Sequence, residues 1–440
     1  MNGALFIFIF TAAIFFFTLE SVIGYVSDFL IEQNTSPLGI SLFTCISAVF
    51  VISSLVFLLF IKSTTSDVLR NSKELRILYY ATSVTQITLV GLIVSVVVQI
   101  TWLAEYSTTL LIATSAISPI MAVFVMVIAS LILVSWFRFN RRSYVVLIFT
   151  LAFSLNAYVF IYTSIASIYN LTEKSPIITP ESEVIYPADV SEPESIREMF
   201  SNIYRFTATA NFILLLAGSA VMLRHYSPRI GCAKFWIMVL IPSAYYSSIL
   251  LDALGIYNPE SEEELFNYYI YAALNGIIGG VLLGLLFWSI SRTMKPNKSV
   301  MNYLYLCSYG LVLLSVATAS QVSVAAFPPY GIASFSMLPL SSYMIIVGLY
   351  SAATSISQDI RLRQYIRNLG KADSGFLSTI GEAQLEKKVQ TKALDLENVV
   401  MEQRREMEKQ SGIGSSIQEQ DIKQYLMEVL QEVDKHKSSR

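Results

Sequence analysis

"SPLGISLFTCISAVFVISSLVFLLFI", residues 36–61, runs for 26 residues without a charged side chain. At about 1.5 Å of rise per residue such a helix exceeds the roughly 30 Å of a bilayer's hydrocarbon core. Nine further apolar runs of similar length follow the same rule: 4–26, 77–103, 107–136, 143–167, 204–223, 235–256, 268–291, 301–326 and 332–356. With 54% hydrophobic and 14% charged residues and a mean hydropathy of +0.57, the chain has too little polar side chain to cover a water-soluble surface. The expected fold class is all-α, a polytopic transmembrane helical bundle of about ten spans across residues 1–356, with a C-terminal cytoplasmic helical tail.

The charges between the runs orient the bundle. Loops after the even-numbered spans hold thirteen Lys and Arg, among them Lys62, Arg70, Arg141, Arg229 and Lys295. Loops after the odd-numbered spans offer only Lys174, Arg197 and Arg205, beside Asp28, Glu32, Glu105 and two acidic clusters. The positive-inside rule makes the even loops and the tail cytoplasmic, so both termini are expected inside a cell membrane. Trp102, Trp136, Trp236 and Trp288 all fall at span ends and read as an interfacial aromatic belt. The first run has neither a basic leader nor a small-residue cleavage site and is taken as a span, not a signal peptide. Cys45, Cys232 and Cys307 lie in spans or a cytoplasmic loop and make no extracellular disulfide framework.

Two acidic segments, the loop 168–203 and "NPESEEELFNYY" at 258–269, face outward in this topology. Neither has the spaced acids of a calcium loop, so no metal is expected. The sequons at Asn34 and Asn170 lie on the same side.

Within the spans, Ala272, Gly276, Gly280 and Gly284 recur every fourth residue and leave one face of span eight almost bare, a surface for close helix packing, more readily within the chain than with a second copy. Glu20, Gln99, Asn211, Asp252 and Asn275 fall in the outer half of the bilayer, with Asn156 nearer the middle. Polar groups at that depth are costly, so this set reads either as interhelical hydrogen bonding or as an outward-facing polar cavity for a ligand or ion. Pro119, Pro242 and Pro339 interrupt spans four, seven and ten, each freeing a backbone carbonyl, and "FPPYG" at 327–331 reads as an outer turn. No hydrolase, kinase, P-loop or dinucleotide-binding motif is present, so no enzymatic activity, cofactor or nucleic-acid partner is expected.

The tail divides into a juxtamembrane helix at 357–410, a Gly/Ser break at 411–416 and an amphipathic helix at 417–440. Ile422, Tyr425, Leu426, Val429, Leu430 and Val433 form an apolar stripe on the last of these. An isolated helix of this length is marginal in water, so the stripe is expected to pack on its neighbouring helix, on a second copy of the chain, on a cytoplasmic protein partner or on the membrane surface.

The stretch "SSYMIIVGLYSAATSISQDIRLRQYIR", 341–367, resembles the junction at which archaeal multi-pass sensors pass from membrane to cytoplasmic helix. More broadly the chain is similar to uncharacterised multi-pass membrane proteins of ammonia-oxidising archaea. The resemblance implies a sensor or scaffold that lacks its own catalytic domain and works through the tail. Transport of a small solute or ion through the polar layer is the alternative.

Overall fold

The computed structural model describes residues 3–27, 29–139, 143–172, 176–182, 206–221, 233–241, 261–293, 298–320, 326–359 and 379–390, with single positions between and beyond them. Helices α1 (Gly3–Tyr25), α2 (Ile31–Thr35), α3 (Pro37–Asn71), α4 (Lys73–Leu103), α5 (Thr108–Phe139) and α6 (Tyr144–Thr172) come first. They are followed by α7 (Glu262–Thr293), α8 (Lys298–Ala319), α9 (Ile332–Phe335) and α10 (Leu338–Gln358). Helical stretches also occupy Phe206–Val221 and 233–241. Among the described residues, seven helical segments are long and apolar enough to cross a membrane. The expected runs at 204–223 and 268–291 appear as helices with shorter apolar stretches, and most of 235–256 lies outside the described residues. Residues Glu382–Arg440 form a separate compact unit, in which helical backbone is described at 382–390. The apolar stripe Ile422–Val433 lies outside the described residues.

Local chemistry sets the helix ends. Ser36 caps α3 by accepting from the Gly39 amide at 3.2 Å, with Pro37 in the first turn, where its missing N–H costs nothing. Ser72 does the same for α4 through Leu75, and Ala104, at φ 54°, turns the chain out of α4 in the left-handed region. Inside the spans, Thr44, Thr65, Ser83, Thr88, Ser95, Thr150 and Thr163 each donate to the carbonyl four residues back. Hydroxyls are thereby satisfied without water.

Two short strands, β1 (Tyr106–Ser107) and β2 (Ile177–Ile178), pair antiparallel and mark one end of the bundle. The centre of the bundle is α10. Every residue from Ala326 to Leu349 is buried, and α10 packs on α3, α4, α5 and α8. The apolar faces of Phe8, Leu38, Ile77, Val84, Trp102 and Leu131 point outward, as lipid-facing side chains do. Trp136 departs from the expected aromatic belt: it is buried and stacks on Tyr350 at 6.3 Å, because α5 turns that face toward α10 rather than toward lipid.

Small residues allow this enclosure. A side chain at Gly280 would strike Ser315, and one at Gly284 would strike Val312, so α7 lies directly on α8 of the same chain. The Ser308 hydroxyl donates to the Gly284 carbonyl at 2.7 Å across that seam. The side chain of Ala272 and the surroundings of Gly276 lie outside the described residues. On the other side of α8, Gly348 of α10 meets the backbone of Tyr303 and Cys307. Gly284→Leu is expected to open the α7–α8 seam and lower the melting temperature in detergent, overpacking of this kind costing about 1–3 kcal/mol. Gly91→Ala, which has open space around it, should leave the melting temperature unchanged.

Candidate functional site

The segment that leads into α10 is buried along its whole length and meets polar side chains from several elements. Residues 326–337 enter the bundle at its strand-bearing end and reach halfway down it. Met337 lies beside Ser54, the central residue of α3, and beside Gln86 of α4, with its sulfur 4.0 and 3.9 Å from their polar atoms. From Ser299 to Gln358 no charged residue occurs. Part of the segment's backbone is paired within it, as in Tyr330 to Pro328, Phe335 to Gly331 and Met337 to Ser334, and side chains from other elements serve further amides and carbonyls.

Glu20 of α1 is the principal one. Its side chain is wholly buried, and Oε1 accepts from the Ala333 amide at 3.0 Å while Oε2 accepts from the Ser334 amide at 2.7 Å. These two N–H groups belong to the first turn of α9, where no intrahelical acceptor exists. Gly331, at φ 102°, bends the chain so that they face α1. Beside the carboxylate runs a chain of hydroxyls: Ser21 to Ser320 at 2.6 Å and Ser320 to Ser334 at 2.6 Å. The Gly331 carbonyl, 3.2 Å from the Ser334 hydroxyl, and the Val316 carbonyl, 3.1 Å from that of Ser320, are alternative acceptors for the single hydrogen each serine carries. Gly24 of α1 lies against the Tyr330 carbonyl, so the two segments meet backbone to backbone.

Two tyrosines secure the turn before α9. Tyr330 donates to the Gly39 carbonyl at 2.7 Å and stands edge-on to Phe43. Tyr106 of β1 donates to the Ala326 carbonyl at 2.7 Å and stacks on Phe327. Burial pushes the Tyr106 phenol well above its ordinary value of 10.0, so it remains a donor at every physiological pH. Residues 327–331 form a turn, as expected, and all five are buried, because α1, α3 and β1 all supply partners to it.

The polar set anticipated in the outer half has the following partners. Glu20 binds α9. Gln99 accepts from the Ser107 amide at 3.0 Å and tethers β1 to α4. Asn156 and Asn211 are brought together, with Asn211 donating to Asn156 at 2.8 Å across two helices. Asp252 and the side chain of Asn275 lie outside the described residues. Hydrogen bonding therefore gathers the described members into one amide pair and two separate anchors. Among the described residues no group of His, Cys, Asp and Glu could hold a metal ion. Ser21, Ser320, Ser334, Tyr106 and Tyr330 were not anticipated; the signal for them is the charge-free run through both spans and the turn between them. No family model, curated protein or solved structure matches this chain.

Glu20→Ala leaves two buried amides without acceptors, at about 1–3 kcal/mol each. Glu20→Gln keeps one acceptor but turns an NH2 group toward a backbone N–H. Both variants should melt below the parent in detergent, Glu20→Ala at least as low as Glu20→Gln; an unchanged melting temperature for Glu20→Ala would show that the carboxylate does not hold α9. Tyr106 gives a separate pH signature. Because its folded value is raised, the stability it contributes is complete below pH 10.0 and declines above it, where the unfolded chain releases the proton and the folded chain does not. Tyr106→Phe should start from a lower melting temperature and fall less steeply between about pH 10 and 11.

Proposed function

We propose that this chain is a multi-pass membrane relay or scaffold without a catalytic domain of its own. In this reading the chain crosses a cell membrane ten times, the strand-bearing end faces outward and both termini are cytoplasmic, as the positive-inside pattern requires. The observation that carries the reading is the enclosure of α10. A helix packed on α3, α4, α5 and α8, and held near its outer end by Glu20 of α1 through α9, cannot shift or rotate without moving its neighbours. Whatever alters the outer loops or the turn at 326–331 is therefore coupled to the end of α10 at Gln358, beyond which lie Arg361, Arg363 and Arg367 and then the tail. A cytoplasmic protein or a second copy of the chain takes the signal through Ile422, Tyr425, Leu426, Val429, Leu430 and Val433. The bilayer is the other partner.

One observation favours transport of a small solute or ion as a second reading. Ser47 Oγ, Thr82 Oγ1, Gln86 Oε1 and Ser342 Oγ are buried on α3, α4 and α10 without a hydrogen-bond partner among the described residues. Polar atoms left open inside a membrane bundle commonly line a path for water or an ion.

The two readings differ in their use of the tail. Protein lacking residues 411–440, which removes the Ile422–Val433 stripe and leaves the unit Met1–Gly381 whole, is expected to insert and melt like the parent in detergent, but to lose the partners that the full chain carries through purification from its own membranes. In proteoliposomes neither form should move solutes. Flux retained by the shortened chain would overturn the relay and leave the transporter.

A further inference from the structure

Pro119 lies inside α5 and Pro339 in the first turn of α10, just past the break between α9 and α10, and each withholds an amide hydrogen from the carbonyl four residues back. Pro119 of α5 has no amide hydrogen, so the carbonyl of Ser115, four residues back, loses its donor. Pro339, in the first turn of α10, does the same to Phe335 at the end of α9. In hydrocarbon such a carbonyl has no water to turn to. Both find a serine on a neighbouring helix: Ser164 of α6 donates to the Ser115 carbonyl at 3.1 Å, and Ser118 of α5 donates to the Phe335 carbonyl at 2.9 Å.

The positions of these donors matter more than their number. Ser118 immediately precedes Pro119, within the turn whose hydrogen bonding that proline breaks. The position of its hydroxyl therefore depends on the course of the α5 backbone past that break, and Ser164 holds the backbone there through the Ser115 carbonyl. All three side chains, Ser115, Ser118 and Ser164, are buried, so solvent cannot substitute for any of the links.

We propose that the proline breaks at 119 and 339 work as one hinge, in which Ser164 and Ser118 link α6, α5 and the α9–α10 junction so that they bend together. A change in the angle of α5 shifts the donor on which the Phe335 carbonyl depends, and the junction above α10 responds. The hinge is independent of whether the protein relays a signal or carries a solute, since either needs only that α10 move with its neighbours.

A cycle of substitutions tests it on the full-length protein in lipid nanodiscs, read by melting temperature and by amide hydrogen exchange. Ser118→Ala should lower the melting temperature by a few degrees and speed exchange several-fold at 335–343, whereas Ser118→Thr, which keeps the hydroxyl, should match the parent. Pro339→Ala restores an amide that can serve the Phe335 carbonyl within the helix. In that background Ser118→Ala should have no further effect; an equal loss with and without Pro339 would overturn the pairing. If Ser118→Ala alone does not fold, recovery of folded protein in the double variant supports the proposal, and failure to recover overturns it. Ser164→Ala is the decisive arm for the linkage. It should speed exchange at 115–119 and also at 335–343, although it touches only α5. Faster exchange confined to 115–119 would show two independent kinks and sink the single hinge.

Discussion

The bond between Glu20 and the first amides of α9 makes the rest of the arrangement workable. A carboxylate inside a bilayer is costly, and two unserved amides at the same depth are costly as well. Placed 2.7–3.0 Å apart, each offsets the other's lost hydration. With that bond in place the chain can halt α8 at Ala319, turn inside the bundle and start again at Ile332, and α10 can begin from halfway down instead of from the surface. Without it, residues 332–337 would have to join an uninterrupted span, and the Tyr330 and Tyr106 contacts would have nothing to hold.

Enclosure of α10 raises a question of driving force. Lipid tails are as apolar as leucine, so burying α10 within the bundle gains little from the hydrophobic effect. The attraction must come from close packing and from polar bonds worth on average only about 0.6 kcal/mol each. The sequence of α10 fits that demand. Ser341, Ser342, Gly348, Ser351, Ala352, Ala353, Thr354 and Ser357 are small, and neighbours can approach to backbone distance where a leucine-rich helix would be held apart. The same residues would serve poorly facing lipid, which is why the larger Phe, Ile and Leu side chains are found on the outer helices instead.

Much of this was legible before any coordinates. The all-helical, membrane-spanning class follows from run length and charge, and the four-residue spacing through Gly280 and Gly284 announces a bare helix face. Prolines likewise announce carbonyls without donors. What periodicity cannot supply is the partner. Glu20 and Ser334 are separated by 314 positions, and nothing around Glu20 distinguishes a residue ending its span at the headgroups from one that reaches across to another helix. "FPPYG" has the composition of a surface turn and is buried because three distant elements close over it. Trp136 looks like its interfacial counterparts until the rotation of α5 is known. In each case local composition was read correctly, and the unknown was which face met protein and which met lipid.

That ambiguity has a physical root. In water, polar and apolar residues sort themselves between surface and core, and the pattern along a helix reveals its orientation. In a bilayer both the core and the lipid surface are apolar, so side-chain size and hydrogen-bonding capacity carry the information that hydrophobicity carries elsewhere. By that criterion the serines are the informative residues of this chain. Those that donate to their own helix, such as Ser83 and Ser95, say little about neighbours. Those that reach another helix, among them Ser21, Ser118, Ser164 and Ser308, mark where one helix depends on the next. Ser21, Ser118 and Ser164 serve the segment that leads into α10 or a helix that packs on it, so much of this bonding converges on a helix whose residues are almost all buried.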